Sequence, residues 1–498
     1  MDFFQNKLDP REAENAIRKA IKLADRFGYK PNSRAGIRSG QAKADPPMLG
    51  IIPLEETPES EGVVDLWKPE TPGVVIGTIR MGFGHYRMAL AIASAVNARG
   101  LTPYWLDFLR FRGSSAAHMI EYLEGLYRKG SRLSAKMPLF NRLIWERLTE
   151  EVARPISATI RDAAWSKIFA QIPQGLDPEV PYIATHPWNA RAAVAAGLKR
   201  VVSIIPDNMP LAFNVAPGAV HAVQTPSAFL GYRTLRNMGD RKIRGREGFR
   251  TIEILKPMPE GSIFYSGHYV DHEMVENLED DCNRRLVRMA NGDARRFLLT
   301  IGGAGAQLSK FLKILTHMKG NILNRRGMVI VNMGDHYGRL EELSRGLRSL
   351  GLDYTLWDDD WKAFQGLVED LHRQNVTGVH IILHRDTFPA VYSTNLLIRE
   401  CDVLVTKPSE LSFYPIPKLF IQRVGKHEAW GAIHSAEIGD GSMETARISQ
   451  VLQLVDILIR DTDLLPLYVE RILANKRAGV YDGAYKVVDK VLELTGGR

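Results

Sequence analysis

Short apolar runs alternate with stretches of helical period along most of this chain. Val74, Val75 and Ile76 begin the pattern, which stops at Gly77 and Thr78. Further runs follow at 104–106, 182–184, 201–205, 219–223 and 263–265. Runs this short, without polar alternation, predict strands buried on both faces of a parallel sheet. Residues 86–99 and much of 115–170 read as helices between them. A second series of runs, 297–301, 328–332, 379–383, 403–406 and 419–421, repeats the alternation, with a helix over 340–350 among the intervening stretches. The predicted class is α/β, with two Rossmann-like, doubly wound parallel-sheet domains facing a cleft. Ligands of such sheets bind beyond the carboxyl ends of the strands, so the chemistry should lie in the loops that follow them.

The flanks read differently. Residues 10–27 carry Ala13, Ile17, Ala20, Ile21 and Ala24 at helical spacing, and residues 28–72 are rich in proline and read as an extended connector. The stretch 273–294 is dense in charge, with Glu273, Glu276, Glu279, Asp280, Asp281, Arg284, Arg285 and Arg288, and reads as a domain boundary. The expected organisation is 1–71 for an N-terminal helix and connector, 72–275 for a first Rossmann-like domain that takes the acceptor, and 294–444 for a second that takes the donor. Helices over 445–498 are expected to cross back to the first domain.

Composition narrows the function classes. Two cysteines, Cys282 and Cys401, exclude a disulfide framework and a cysteine zinc site. The first residues are charged with no apolar core after them, and no run approaches the roughly 18–20 apolar residues of a spanning helix. A cytoplasmic location is expected, with contact to the cytosolic face of a membrane left open. The net charge of +8, from 65 basic and 57 acidic residues, is modest for 498 residues. No zinc finger, basic heptad region or aromatic RNA-binding signature accompanies it, so no nucleic-acid partner is expected. The densest basic stretch, 233–250, reads as a solvated loop or as a patch for anionic lipid headgroups or an anionic acceptor.

Four loops carry candidate chemistry. Gly82-Phe83-Gly84-His85 follows the first core strand and opens a helix. Its glycines allow close backbone approach, and His85 could act as a base near neutral pH. Asp107 sits near the distance at which a dinucleotide site holds a ribose, so this loop alone does not dismiss a nicotinamide cofactor. Thr185-His186-Pro187-Trp188 and Pro206-Asp207-Asn208 follow two later strands, either as cleft residues or as buried, satisfied polar groups. Gly302-Gly303-Ala304-Gly305-Ala306-Gln307 has the backbone amides to cradle a diphosphate but lacks the lysine of a P-loop. Lys407-Pro408-Ser409-Glu410-Leu411-Ser412 offers a cation and hydroxyls, and Lys426-His427-Glu428 adds a carboxylate. Asp358-Asp359-Asp360 contains an Asp-x-Asp but reads as a helix cap and solvated turn rather than a metal site. His384-Arg385-Asp386 is likewise no metal site.

The ordered set resembles the family of monogalactosyldiacylglycerol synthase and processive diacylglycerol glucosyltransferase. More distantly it resembles the N-acetylglucosaminyltransferase that makes the peptidoglycan lipid intermediate. Residues 82–85 resemble the family's Gly-Gly-Gly-His loop. Residues 185–187 and 205–207 resemble its His-Pro and Thr-Asp steps, and 264–270 the Gly-Ile-Pro-Val segment that closes the first domain. Residues 302–306 resemble its donor loop, 402–408 its Ala-Asp-x-x-Val-x-Lys-Pro-Gly segment, and 427–432 its Gln-Glu-x-x-Asn-Ala segment. The resemblance spans about residues 72–445. It implies a glycosyltransferase-B fold and inverting, metal-independent transfer from a UDP-sugar to an acceptor hydroxyl, with a lipid as acceptor and no cofactor besides the substrate.

Carried onto these positions, the catalytic residues are His85, as base, and Asp207. The donor residues are Gly302, Gly303, Ala304, Gly305, Gln307, Lys407, Pro408, Ser409, Glu410, Ser412 and Glu428. Gly82, Gly84, His186 and Asn208 fall on the acceptor side, and no residue is assigned to a metal. The departures are Phe83 for the middle glycine, Pro415 at the family's ribose-binding glutamate, and an inserted 239–259. Residues 115–148, with Met119, Leu126, Met137, Leu139, Phe140 and Trp145 among basic residues, suit either shallow docking on an anionic membrane or a core face. Two rivals stand beside the transferase. One is a nucleotide-sugar epimerase or hydrolase on the same fold, and the other is a catalytically silent nucleotide-sugar sensor or scaffold.

Overall fold

The computed structural model describes residues 2–494 except 32, 44–48, 58–63, 65, 69–70, 137–152, 240–254, 302–306 and 424; for 2, 67–68, 71 and 127–136 it describes the backbone alone. Two compact units emerge. The first comprises Met1–Lys43, Leu49–Tyr269 and Asp482–Arg498, and the second comprises Ala44–Met48 and Val270–Tyr481.

The sheet of the first unit runs, edge to edge, Ile263–Tyr265, Val220–Val223, Val201–Ile204, Tyr182–Ala184, Thr71–Thr78, Thr102–Asp107, Ile52–Thr57 and Gly36–Ser39. All neighbours are parallel except the last pair. The inner strands are the predicted ones, and Val74, Val75, Ile76, Val201, Val202 and Ile204 are buried. The 1–71 segment is more than a helix and connector. Pro10–Ala24 forms the expected helix, with Asp9 accepting from Arg11 N at its start, while two strands of the supposed connector extend the sheet. Chain order reverses about Thr71–Thr78: the next strand, Thr102–Asp107, lies on one side, and Tyr182–Ala184 with all later strands on the other. The switch point therefore falls between the loops that follow Thr78 and Ala184.

Gly77 sets the spacing there. A Cβ at this position would lie 2.0 Å from the Tyr182 hydroxyl and 2.1 Å from Asn189 Oδ1, both in the buried core. Gly77→Ala is expected to cost about 1–3 kcal/mol through overpacking. A chemical denaturation midpoint unchanged from wild type would contradict this close approach.

The second unit is a six-stranded, all-parallel sheet ordered Tyr354–Asp358, Gly378–Leu383, Gly327–Asn332, Arg295–Thr300, Val403–Thr406 and Lys418–Phe420. Its core gathers Phe297, Leu299, Val329, Val331, Ile381, Val403 and Val405 with the helix residues Phe311, Ile314 and Leu315. Order reverses about Arg295–Thr300, so this switch point lies between the loops after Thr300 and Thr406. Tyr354–Asp358 was not foreseen; it is a partly exposed edge strand without an apolar run.

The domain boundaries move accordingly. The chain leaves the first unit after Tyr269 rather than at 275, and the charged stretch is no linker. Leu278–Ala290 is a helix whose Arg285 and Arg288 are buried. Arg288 Nη2 lies 2.7 Å from Asp402, Arg284 Nη1 lies 2.8 Å from Glu400, and Arg285 donates to the carbonyls of Ile398 and Cys401. Within 445–498, the helices Ile448–Arg460 and Leu464–Arg477 belong to the second unit, and Gly483–Glu493 alone joins the first. Asp489 accepts from Arg99 there at 2.7 Å, at the end of the helix Gly84–Ala98. Among the described residues, no helix is long and apolar enough to cross a membrane.

Candidate functional site

At the first switch point, the end of Thr71–Thr78 is tied to the end of Tyr182–Ala184 by a Thr185–Thr78 hydroxyl bond of 3.0 Å. Beyond it the chain turns through Gly82, exposed and at φ +93°, where a side chain would be strained. Gly84 then starts a helix that places His85 half-buried over the neighbouring loop. His85 Nδ1 lies 2.6 Å from the Thr185 carbonyl. A carbonyl only accepts, so Nδ1 carries the proton and Nε2 of the neutral ring keeps its lone pair.

His186 sits edge-on to His85, ring centres 4.6 Å apart. It ends its strand loop by capping Pro187–Ala195, its Nδ1 accepting the Trp188 N–H at 3.1 Å. Trp188 Nε1 donates in turn to the buried carboxylate of Asp162 at 3.1 Å. Burial holds the His186 pKa well below the ordinary histidine value, and the neighbouring His85 and Arg191 push the same way. The sequence reading passed over Asp162 and Arg191, which lie inside helices with no loop signal. Arg191 donates to the carbonyls of Ala212, Phe213 and Val215, fixing the short turn that carries Asn214. Asn214 Nδ2 donates to Asp207 at 3.1 Å and to Tyr232 at 3.0 Å. Asn208 is buried and accepts from Thr225 at 3.2 Å. Asp107, the candidate ribose ligand, accepts from Tyr86 at 2.7 Å and Leu109 N at 3.1 Å. With both oxygens engaged and the residue buried, it is not offered to a dinucleotide.

A third histidine reports on stability. His221 is wholly buried, accepts from Ala216 N and contacts the Ser262 carbonyl through Nδ1. Burial pushes its pKa down to about 4, against the opposing bond to Ser262. Between pH about 6.5 and 4, the unfolded chain binds a proton that the folded chain refuses, so stability is lost as pH falls. His221 alone is expected to account for about 2 kcal/mol by pH 5. Urea denaturation at pH 7 and pH 5 checks this, and a His221 that titrates normally by NMR would contradict it.

The second switch point repeats the threonine tie: Thr300 donates to Thr406 at 2.9 Å. Of the predicted donor residues, Gly302, Gly303, Ala304 and Gly305 lie outside the described residues. Gln307, just after them, is buried and approaches the Gln422 carbonyl at 3.4 Å. Lys407 is ion-paired with Glu428, whose other oxygen accepts from Gly425 N at 3.2 Å. The two residues expected to act separately, one on phosphate and one on sugar hydroxyls, are thus brought together. Pro408 is buried, Ser409 and Glu410 are half-buried at the start of the turn Glu410–Phe413, and Ser412 is buried against the Gly431 backbone. Pro415 is buried and offers no carboxylate.

Asp360 caps Trp361–Arg373 through Ala363 N at 2.9 Å, as its position predicted. Asp359 pairs with Arg385 and Asp358 accepts from Tyr337. The described residues contain no group of three or more His, Cys, Asp or Glu side chains placed to hold a metal. Most of the basic stretch 233–250, most of the inserted 239–259, and Met137, Leu139, Phe140 and Trp145 of the membrane reading lie outside the described residues.

No curated protein matches the chain. Solved structures resemble it at low identity. A glycosyltransferase from Rickettsia africae ESF-5 is 10% identical with a TM-score of 0.39, covering 86% of this chain and 100% of its own. The α,α-trehalose 6-phosphate synthase of Burkholderia multivorans is 11% identical at 0.41, covering 85% and 99%. S. aureus MnaA, solved with UDP, is 12% identical at 0.41, covering 84% and 97%. By sequence, residues 2–234 match the family described as Domain of unknown function (DUF6937) and residues 258–492 the family described as Domain of unknown function (DUF6938).

Proposed function

We propose that this protein is an inverting glycosyltransferase that moves a sugar from a nucleotide-sugar, a UDP-sugar by the sequence resemblance, to an acceptor hydroxyl. A lipid is the proposed acceptor, approached from the cytosolic face of a membrane. The observation that carries the reading is the tautomer of His85 at a sheet switch point: its Nδ1–H faces the Thr185 carbonyl, so the basic lone pair of the neutral ring is on Nε2. The acceptor oxygen attacks the anomeric carbon as His85 removes its proton, and the nucleoside diphosphate departs. Asp207, held by Asn214, is assigned to the acceptor side. In the second unit Lys407 balances the diphosphate. The incoming phosphate charge competes with Glu428 for the ammonium and releases Glu428 to the sugar hydroxyls. The transfer needs no metal in this reading, because lysine and backbone amides stabilise the leaving group.

Thermal shifts with UDP, GDP, ADP and their sugar conjugates test it. One nucleotide series is expected to stabilise the protein by about 2.7 kcal/mol at a hundredfold excess over Kd. Lys407→Ala should weaken that binding about tenfold or more. If no nucleotide stabilises the chain, the transferase reading falls. Pro415 in place of a carboxylate, with Glu428 already paired, favours one alternative, a silent nucleotide-sugar sensor. That alternative predicts the same binding without sugar release.

A further inference from the structure

We infer that His186 is a specificity-determining residue that reads a second oxygen on the acceptor, next to the hydroxyl that His85 deprotonates; this rests on the reading above. The two imidazoles are fixed in opposite tautomers by backbone partners of opposite kind. His85 faces a carbonyl through Nδ1, and His186 faces an N–H through Nδ1. In the neutral rings, Nε2 of His85 is therefore an acceptor and Nε2 of His186 a donor. Their centres are 4.6 Å apart, which lets the pair address two neighbouring oxygens at once.

The support around His186 holds this donor state. Trp188, which supplies the N–H, is anchored by Asp162, and the ring is enclosed by Trp188 and Phe213 at centroid distances of 5.2 and 6.0 Å. Its burial disfavours a positive charge on the ring, and so do the neighbouring His85 and Arg191; the Asp162 carboxylate is engaged by Trp188 Nε1. A neutral N–H donor beside a base does not compete for the proton in transit. It can hold an ether, ester or hydroxyl oxygen on the carbon adjacent to the nucleophile. The acceptor class is thus a 1,2-dioxygenated carbon pair, as in glycerol, a glycerolipid or a sugar, rather than an isolated alcohol.

The test uses the full chain with nitrogen-15 histidine. The His186 ring should hold the Nε2–H tautomer and stay neutral at pH about 6.5, where a free imidazole is half protonated, while His85 shows the Nδ1–H tautomer. Glycerol should shift both ring signals and 1-propanol should not. A short-chain diacylglycerol in detergent shifting them when glycerol does not would assign the oxygen pair to a lipid. His186→Asn keeps an oxygen for the Trp188 cap, so the fold should survive, but the preference for glycerol over 1-propanol should fall about tenfold. A His186 that protonates near pH 6.5, or equal responses to the two alcohols, would overturn the inference. Nucleotide binding at Lys407 is measured separately, so loss of the transferase reading would register there and not in the histidine signals.

Discussion

Replacing His85 by alanine is expected to lower the rate of sugar transfer by about 10²–10⁴-fold, the range of a positioned general base. The loss should fall on the rate constant, with little change in nucleotide affinity, because Lys407 and Glu428 belong to the second unit. Folding should hardly notice. His85 is half-buried, and its hydrogen bond to the Thr185 carbonyl is worth about 1 kcal/mol net. Turnover of a nucleotide-sugar, followed as released nucleoside diphosphate with and without acceptor, separates the two quantities. A variant with full turnover removes the base assignment. Equal loss of nucleotide binding would instead mean that the substitution disturbed more than the first switch point.

The largest stability effect is expected at the buried pair Lys418–Asp440. Both side chains are fully buried, 2.8 Å apart. Asp440 also accepts from Ser435 and from Tyr481 at 2.9 Å, and Lys418 donates to the Tyr414 carbonyl at 2.7 Å. The pair therefore ties a sheet strand, the turn after Lys407 and the last residue of the second unit. Lys418→Met strands a carboxylate in the core and is expected to cost about 3–5 kcal/mol, whereas Lys418→Met with Asp440→Leu should recover much of that loss. Chemical denaturation of the full chain measures both. A single-variant loss under about 1 kcal/mol would show that water reaches the site and compensates the charge.

The inner strands were legible because burial on both faces leaves a short, nearly continuous apolar run, as in Val201–Ile204 and Val403–Thr406. Ile52–Thr57 and Tyr354–Asp358 were not, since a strand near a sheet edge keeps polar residues and even a proline. Charge misled in one place. Arg285 and Arg288 read as part of a domain boundary, yet they are buried against Ile398, Cys401 and Asp402, more than a hundred positions away. The site divides in the same manner. Loops after strands could be named from glycines and histidines. The tautomers of His85 and His186 could not, because a backbone carbonyl and a backbone N–H set them, and these groups are common to nearly every residue. The Lys407–Glu428 pair was hidden by distance along the chain, and Asp162 and Arg191 by lying in helices with no pattern to mark them.

The first unit is interrupted: the chain leaves it after Tyr269 and re-enters at Asp482, and these two residues meet in an antiparallel bridge. A ribosome must therefore deliver all of Val270–Tyr481 before Gly483–Glu493 can bury Ala484, Val487, Val488 and Val491. The second unit, whose sheet lies wholly within Val270–Tyr481, can close its core while the first still waits for that helix. During synthesis the unit begun earlier is completed later, and the apolar face awaiting Gly483–Glu493 is the surface a chaperone would have to shield in the interval.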